Sequence, residues 1–143
     1  PSDGRKQRLI YNPNDLVEIR ARKFYRIFKS NSFKLKRALT YGPVTVMVNT
    51  GDPFKFYSEG VIDSPECRPE VNHAVLAVGF GKYVDAQGKS EDYFILKNSW
   101  GKYWGEKGYA RVSASTSVYK QGFCGLYVES YQAYIDEGPA KKQ

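Results

Sequence analysis

The apolar runs of this chain are short, and turn formers cut each of them off, which leaves little room for long helices. VTVMV (Val44 to Val48) follows Gly42-Pro43, HAVLAVGF (His73 to Phe80) is followed by Gly81, and YFILK (Tyr93 to Lys97) runs into the glycine-rich KNSWGKYWGEKGY. Apolar runs of this length, rich in β-branched or aromatic residues and bounded by glycine and proline, are strand signals. The 13 glycines and 7 prolines favour a sheet over a bundle in the same way. With 143 residues, 12 Tyr and 8 Phe, the chain can bury a core without metals or many cross-links, as one domain or as a large half of a two-domain protein.

A pass along the sequence predicts an α+β arrangement of four or five mostly antiparallel strands with one short helix. ARKFYRIF (Ala21 to Phe28) reads as a strand, and FKLKRALTYG as a helix capped by Ser32 and stopped at Gly42-Pro43. TGDPFKFYSEG reads as a loop that turns at Gly51-Asp52-Pro53 and is anchored by its aromatics. HAVLAVGF is continuous rather than alternating, so it is expected to be covered on both faces. GKYVDAQGKSED is a polar hairpin excursion, YFILKNSW returns from it, and GYARVS (Gly108 to Ser113) is another strand. Residues 1–15 read as an extended lead-in, 16–135 as the domain and 136–143 as a flexible tail. The opening PSDGRKQR is polar and basic without the apolar centre of a signal peptide, so the chain reads as a processed piece or a fragment. No apolar run approaches the ~18 residues of a membrane span. No Asn-x-Ser/Thr sequon occurs.

The net charge is +7, and much of it lies between Arg20 and Arg37, where Lys and Arg alternate with Phe24, Tyr25, Phe28 and Phe33 and no acid occurs. Nucleic-acid binders use such a mixture. A solvated basic face, or a surface for an acidic partner, accounts for it as well, and nucleic acid is the least favoured of the three.

His73 is the only histidine. Alone at the start of a strand it is compatible with a structural role. The segment KNSWGKYWGEKGY (Lys97 to Tyr109) changes that balance. It places Asn98 two positions before Trp100, with Trp104 beyond and glycines at 101, 105 and 108. A short amide beneath an indole can hold an imidazole in one tautomer while water is kept from the bond.

NHAVLAVGFG, KNSWGKYWGEKGY and CGLYVES, in that order from about Gly42 to Tyr134, resemble the C-terminal half of a papain-like cysteine protease of the cathepsin L type. The resemblance implies the mostly antiparallel, β-barrel-like right-hand domain of that fold, one wall of a substrate cleft whose other wall is helical. It implies His73 as the catalytic base, Asn98 as its orienter and Trp100 as the shield of that pair. Imidazolium pairing can lower a thiol from a pKa of about 8.5 to ~3–4, which makes a thiolate nucleophile available in acid. Cys67 and Cys124 match a family disulfide, worth about 4 kcal/mol on the chain-entropy model. Two free buried thiols, or one of them as nucleophile, remain the other readings. Met47, Val71, Ala74 and Glu129 fall where the family binds the residue two before the scissile bond, and Asn72 is a further substrate-binding candidate. Glu129 would make that pocket accept Arg as well as Leu or Phe, unless it points into solvent. Trp104 falls on the leaving-group side or in the core.

The departure from the family pattern is the nucleophile. No QG-x-C-G-S-C-W type motif occurs, and neither cysteine follows a helix-forming run. The resemblance therefore implies a chain that supplies the base but needs a Cys-bearing helical N-terminal partner, separated by a cut before Leu16 in a two-chain enzyme, and that is inactive alone. An inert homologue serving as an interaction module, with residues 20–37 as its binding face, is the alternative. Expected partners are peptide or protein substrates and propeptide or cystatin-type inhibitors, with no membrane. No cofactor or metal is called for. A lysosome-like vesicle or secretion is the expected location.

Overall fold

The computed structural model describes residues 19–137. The expected lead-in, the domain start at residue 16 and the last six residues of the expected tail lie outside them. Among the described residues seven strands form one sheet, more than the four or five expected, in the order β1-β7-β2-β4-β5-β6-β3. In chain order these are β1 (Ile19–Arg26), α1 (Ser32–Leu39), β2 (Val44–Val48), α2 (Asp52–Lys55), β3 (Val61–Ile62), β4 (His73–Val84), β5 (Ser90–Lys97), β6 (Tyr109–Ser113) and β7 (Ser130–Glu137). The pairings are antiparallel except for β3 against β6. β7 continues to Glu137, two residues into the stretch expected to be a tail.

The helix begins one residue earlier than the sequence suggests. Asn31, with φ −153°, is its cap and accepts from the Lys34 amide at 2.9 Å, while Ser32 lies inside the first turn. Lys36 and Arg37 fall in the last turn, where they suit the helix dipole, and the helix stops at Leu39 rather than running to Gly42. A second, one-turn helix, α2, occupies what the sequence marks as loop, with Pro53 at its start and Phe54 buried.

β2 is flanked by β7 and β4, and its Val44, Val46 and Val48 are fully buried. They join Leu35 of α1, Phe54 of α2, Phe94 and Leu96 of β5 and Val112 of β6 in a single core. β4 is not covered on both faces as expected. Val75 and Ala77 are buried while Ala74, Val78 and Phe80 are exposed, so an apolar residue type stands on both faces of a strand that alternates in burial. β4 and β5 form the expected hairpin, closed by Asp85, whose carboxylate accepts from the amides of Gln87 and Lys89. Antiparallel pairing sets Leu76 opposite Lys97, which brings the start of β4 and the end of β5 to the same edge of the sheet.

Candidate active site

That edge carries His73, first residue of β4, and Asn98, the residue after β5. His73 is held on its other side by β2, opposite Val48. The His73 Nε2–H donates to Asn98 Oδ1 at 2.8 Å. The backbone N–H of Ser99 donates to the same oxygen at 2.8 Å. An N–H can only donate, so the atom between Ser99 and the imidazole must be the carbonyl oxygen of the amide. That fixes the ring tautomer: the proton sits on Nε2, and Nδ1 keeps its lone pair. Nδ1 has no hydrogen-bond partner among the described residues. Asn98 is 7% exposed, and its Nδ2 finds no acceptor among the described residues.

Aromatic rings enclose this bond. Trp100 stacks on His73 with centroids 5.1 Å apart and planes 25° apart. Phe54, fully buried, presents its edge to His73 at 6.5 Å and to Trp100 at 5.7 Å. Trp104 packs against Phe54 at 4.9 Å and crosses Trp100 at 5.4 Å. Its indole N–H donates to the carbonyls of Phe54 and Lys55 at 3.2 and 3.1 Å, so Trp104 ties the loop to α2 and supports Trp100. The sequence did not single out Phe54. Its signal was the helix start at Gly51-Asp52-Pro53, which turns the next apolar residue inward.

The loop that carries Trp100 is closed by backbone geometry. The Asn98 amide donates to Gly108 O at 2.9 Å. Gly105 has φ +56°, and a Cβ there would lie 2.6 Å from Tyr109 O, a position that only glycine fills. Glu106 takes the Arg111 guanidinium with both oxygens, at 3.0 and 2.6 Å, and accepts from the Gly60 amide. The Arg111 hydrogen bonds hold the Glu106 carboxyl below the usual range, against a smaller opposing effect of burial. Burial raises the Tyr57 phenol, which donates to Gly60 O at 2.6 Å beneath the same loop.

The candidate substrate residues fall on the opposite flank of β4. Met47 pairs with Ala74 across β2 and β4, and the Met47 amide donates to Glu129 O at 3.1 Å, so these three are neighbours. Glu129 is partly buried, and its carboxylate accepts from the Tyr131 hydroxyl at 3.3 Å. Val71 lies against Gly125, where a Cβ would come within 2.6 Å of Val71 Cγ1. Asn72 is exposed, and its side-chain oxygen is engaged by the amide and hydroxyl of Thr50, both at 3.0 Å. Cys67 and Cys124, both fully buried, are joined in a disulfide. The bridge fastens the segment before His73 to the turn ahead of Glu129. Two surface hollows, one around Ser32, Lys89 and Ser115 and one around Asp63, Tyr83 and Asp85, include none of these residues.

Chemically, the arrangement leaves the His73 acceptor nitrogen free and its donor nitrogen anchored, which is the geometry a general base requires. The 143 residues hold two cysteines, and both are in the bridge.

Comparison with known proteins identifies the family and the fold. The family described as papain family cysteine protease matches residues 5–134, which carries the likeness upstream of Gly42, where the motifs alone had begun it. Chymopapain of Carica papaya is 45% identical over 98 residues, covering 68% of this chain and 26% of the relative. Falcipain-2a of Plasmodium falciparum is 38% identical over 109 residues, covering 72% and 22%. The solved bromelain protease of Ananas comosus, in complex with the E64 inhibitor, superposes with a TM-score of 0.69 at 35% identity, over 79% of this chain and 50% of that one. The chain thus spans about a quarter of these curated relatives and half of the solved enzyme. Its mostly-sheet domain with one principal helix matches the right-hand domain of that fold.

Proposed function

The chain belongs to the papain family of cysteine proteases, and on that premise we propose that it is the half of a peptidase that supplies the base, His73, to a cysteine thiol borne outside these 143 residues. The observation that carries this reading is the 2.8 Å bond from His73 Nε2 to Asn98 Oδ1 beneath a stacked indole. In the proposed cycle Nδ1 takes the thiol proton, and the resulting thiolate attacks the peptide carbonyl. The imidazolium then gives its proton to the leaving amine, and water hydrolyses the acyl-enzyme with His73 again as base. Asn98 acts as a neutral acceptor. It steadies the charged ring without adding a second anion that would draw the imidazolium away from the thiolate. Met47, Val71 and Ala74 form apolar walls for the residue two before the scissile bond, Glu129 stands at the floor, and Asn72 holds the adjoining loop through Thr50.

Peptides or proteins are the proposed substrates, and a propeptide or a cystatin-type inhibitor would occupy the same cleft. A disulfide and a thiolate that works in acid favour secretion or a lysosome-like vesicle. The alternative, an inert papain-fold homologue that binds partners through residues 20–37, is favoured by one fact, that both cysteines are committed to the bridge. The proposal is tested by assaying a dipeptidyl coumarin amide with this chain alone and with its thiol-bearing half. Turnover only in the assembly supports it. An assembly with no turnover, whose partner carries serine or glycine in place of the thiol, establishes the inert reading.

A further inference from the structure

We infer that the end of α2 and the loop after Trp100 form a cationic aromatic shelf that selects acidic residues on the leaving side of the scissile bond. This rests on the reading of His73 as the base and names the substrate class that the base serves. Phe56 is 72% exposed and Tyr103 94%, so two large rings stand in solvent beside the buried cluster under His73. Each carries an ammonium group: Lys55 Nζ lies 5.4 Å from the Phe56 ring centroid and Lys102 Nζ lies 5.3 Å from that of Tyr103. The two segments are latched together, because the Trp104 indole donates to the Phe54 and Lys55 carbonyls. Lys55-Phe56 and Lys102-Tyr103 therefore adjoin the two ends of one anchored contact.

The sheet order decides which part of a substrate meets this shelf. β4 lies between β2 and β5. Met47 and Glu129 stand on the β2 flank of His73, while the loop after β5, with Trp100, Lys102 and Tyr103, stands on the other. A peptide whose preceding residues rest on Met47, Ala74 and Glu129 runs past His73 and over Trp100 onto the shelf. The local charge favours an acid there. Between Ser99 and Gly108 the only carboxylate is Glu106, which is taken by Arg111 and the Gly60 amide. On the α2 side Asp52 lies one turn back at the helix start and the exposed Glu59 follows Phe56 by three residues, while Lys107 adds a further ammonium group to the loop after Trp100. Neither Lys55 nor Lys102 is in an ion pair among the described residues. An aspartate or glutamate arriving on this side meets unpaired ammonium groups above aromatic faces, and a lysine or arginine meets repulsion.

Exposed charges of this kind discriminate modestly and are screened by salt, so a preference of about threefold to tenfold is expected at low ionic strength, shrinking as salt is added. The test uses the complete enzyme, this chain with its thiol-bearing half, on internally quenched peptides. These share their residues before the scissile bond and carry Asp, Ala or Lys at the first three positions after it. A coumarin amide, which has no leaving-side residues, is run in parallel. The inference expects kcat/KM to fall in the order Asp, Ala, Lys, and expects the order to invert in the Lys55→Glu/Lys102→Glu double variant. Hydrolysis of the amide with a flat peptide series, or with an order that the double variant does not alter, overturns the shelf and leaves the base reading intact. Failure of the amide and of every peptide removes both.

Discussion

Removing the Asn98 amide isolates the interaction on which the site depends. In Asn98→Ala the imidazole loses its 2.8 Å acceptor and the Ser99 amide loses its own. In the proposed cycle His73 carries the thiol proton and its bond to Oδ1 becomes charge-assisted, and a hydrogen bond to a charged group contributes about 1.5–3 kcal/mol. The amide is buried and the ring above it is covered by Trp100, so water substitutes poorly for the missing oxygen. That energy corresponds to a fall of roughly tenfold to 150-fold in turnover. Asn98 bonds the His73 ring, so under the proposed function the loss should appear in kcat with KM nearly constant. Stability should change little, since the buried Nδ2 has no acceptor to lose among the described residues, and the unpaired Ser99 N–H costs on the order of 1 kcal/mol. The assay is steady-state hydrolysis of a coumarin amide by the complete enzyme, with thermal melting as the folding control. An unchanged kcat, or a loss carried wholly by KM, would refute the orienting role.

Further outcomes follow from other parts of the fold. Hydrogen bonds from Lys36, and then Lys82, hold the Asp92 carboxyl below its ordinary range. A lowered folded pKa gives stability that is present at neutral pH and lost as pH falls below the usual carboxylate range, so Asp92→Asn should flatten the acid limb of a melting-temperature profile. Opening the Cys67–Cys124 bridge by the double serine variant should cost about 4 kcal/mol in denaturant unfolding; a loss below about 1 kcal/mol would show that the bridge does not constrain the unfolded chain as that chain-entropy estimate assumes. Glu129→Gln should lower kcat/KM for substrates with Arg two residues before the cut while sparing those with Leu, and equal effects on both would place Glu129 outside the pocket.

The convergence of His73, Asn98 and Trp100 was more legible in the sequence than the details of the strands around it. His73, Asn98 and Trp100 stand in motifs whose glycines and indoles have few other uses, and the β4–β5 hairpin that joins them is written in two apolar runs around Asp85 to Lys89. The two-residue strand β3 carries no periodicity of its own and exists only through its parallel pairing with β6. Asn31 and Ser32 are both good caps, and only the extended backbone at Asn31 decides between them. The burial of β4 was misread because Val78 and Phe80 are apolar on the exposed face, and residue type alone does not tell an open face from a covered one. For Phe54 the sequence marked only one of the aromatics that anchor its loop, because its place under the site depends on His73, Trp100 and Trp104 converging on it from distant parts of the chain.

The most direct measurement of the central claim is the rate at which a peptidyl epoxide alkylates the complete enzyme across pH, with the modified residue mapped by mass spectrometry, for the parent and for His73→Ala. The account predicts a single label on a cysteine outside residues 1–143, formed rapidly in acid by the parent, and in His73→Ala only as the pH climbs toward that of an ordinary thiol. Labelling that is equally fast in acid without His73, or the lack of any reactive thiol in the assembled protein, would contradict it.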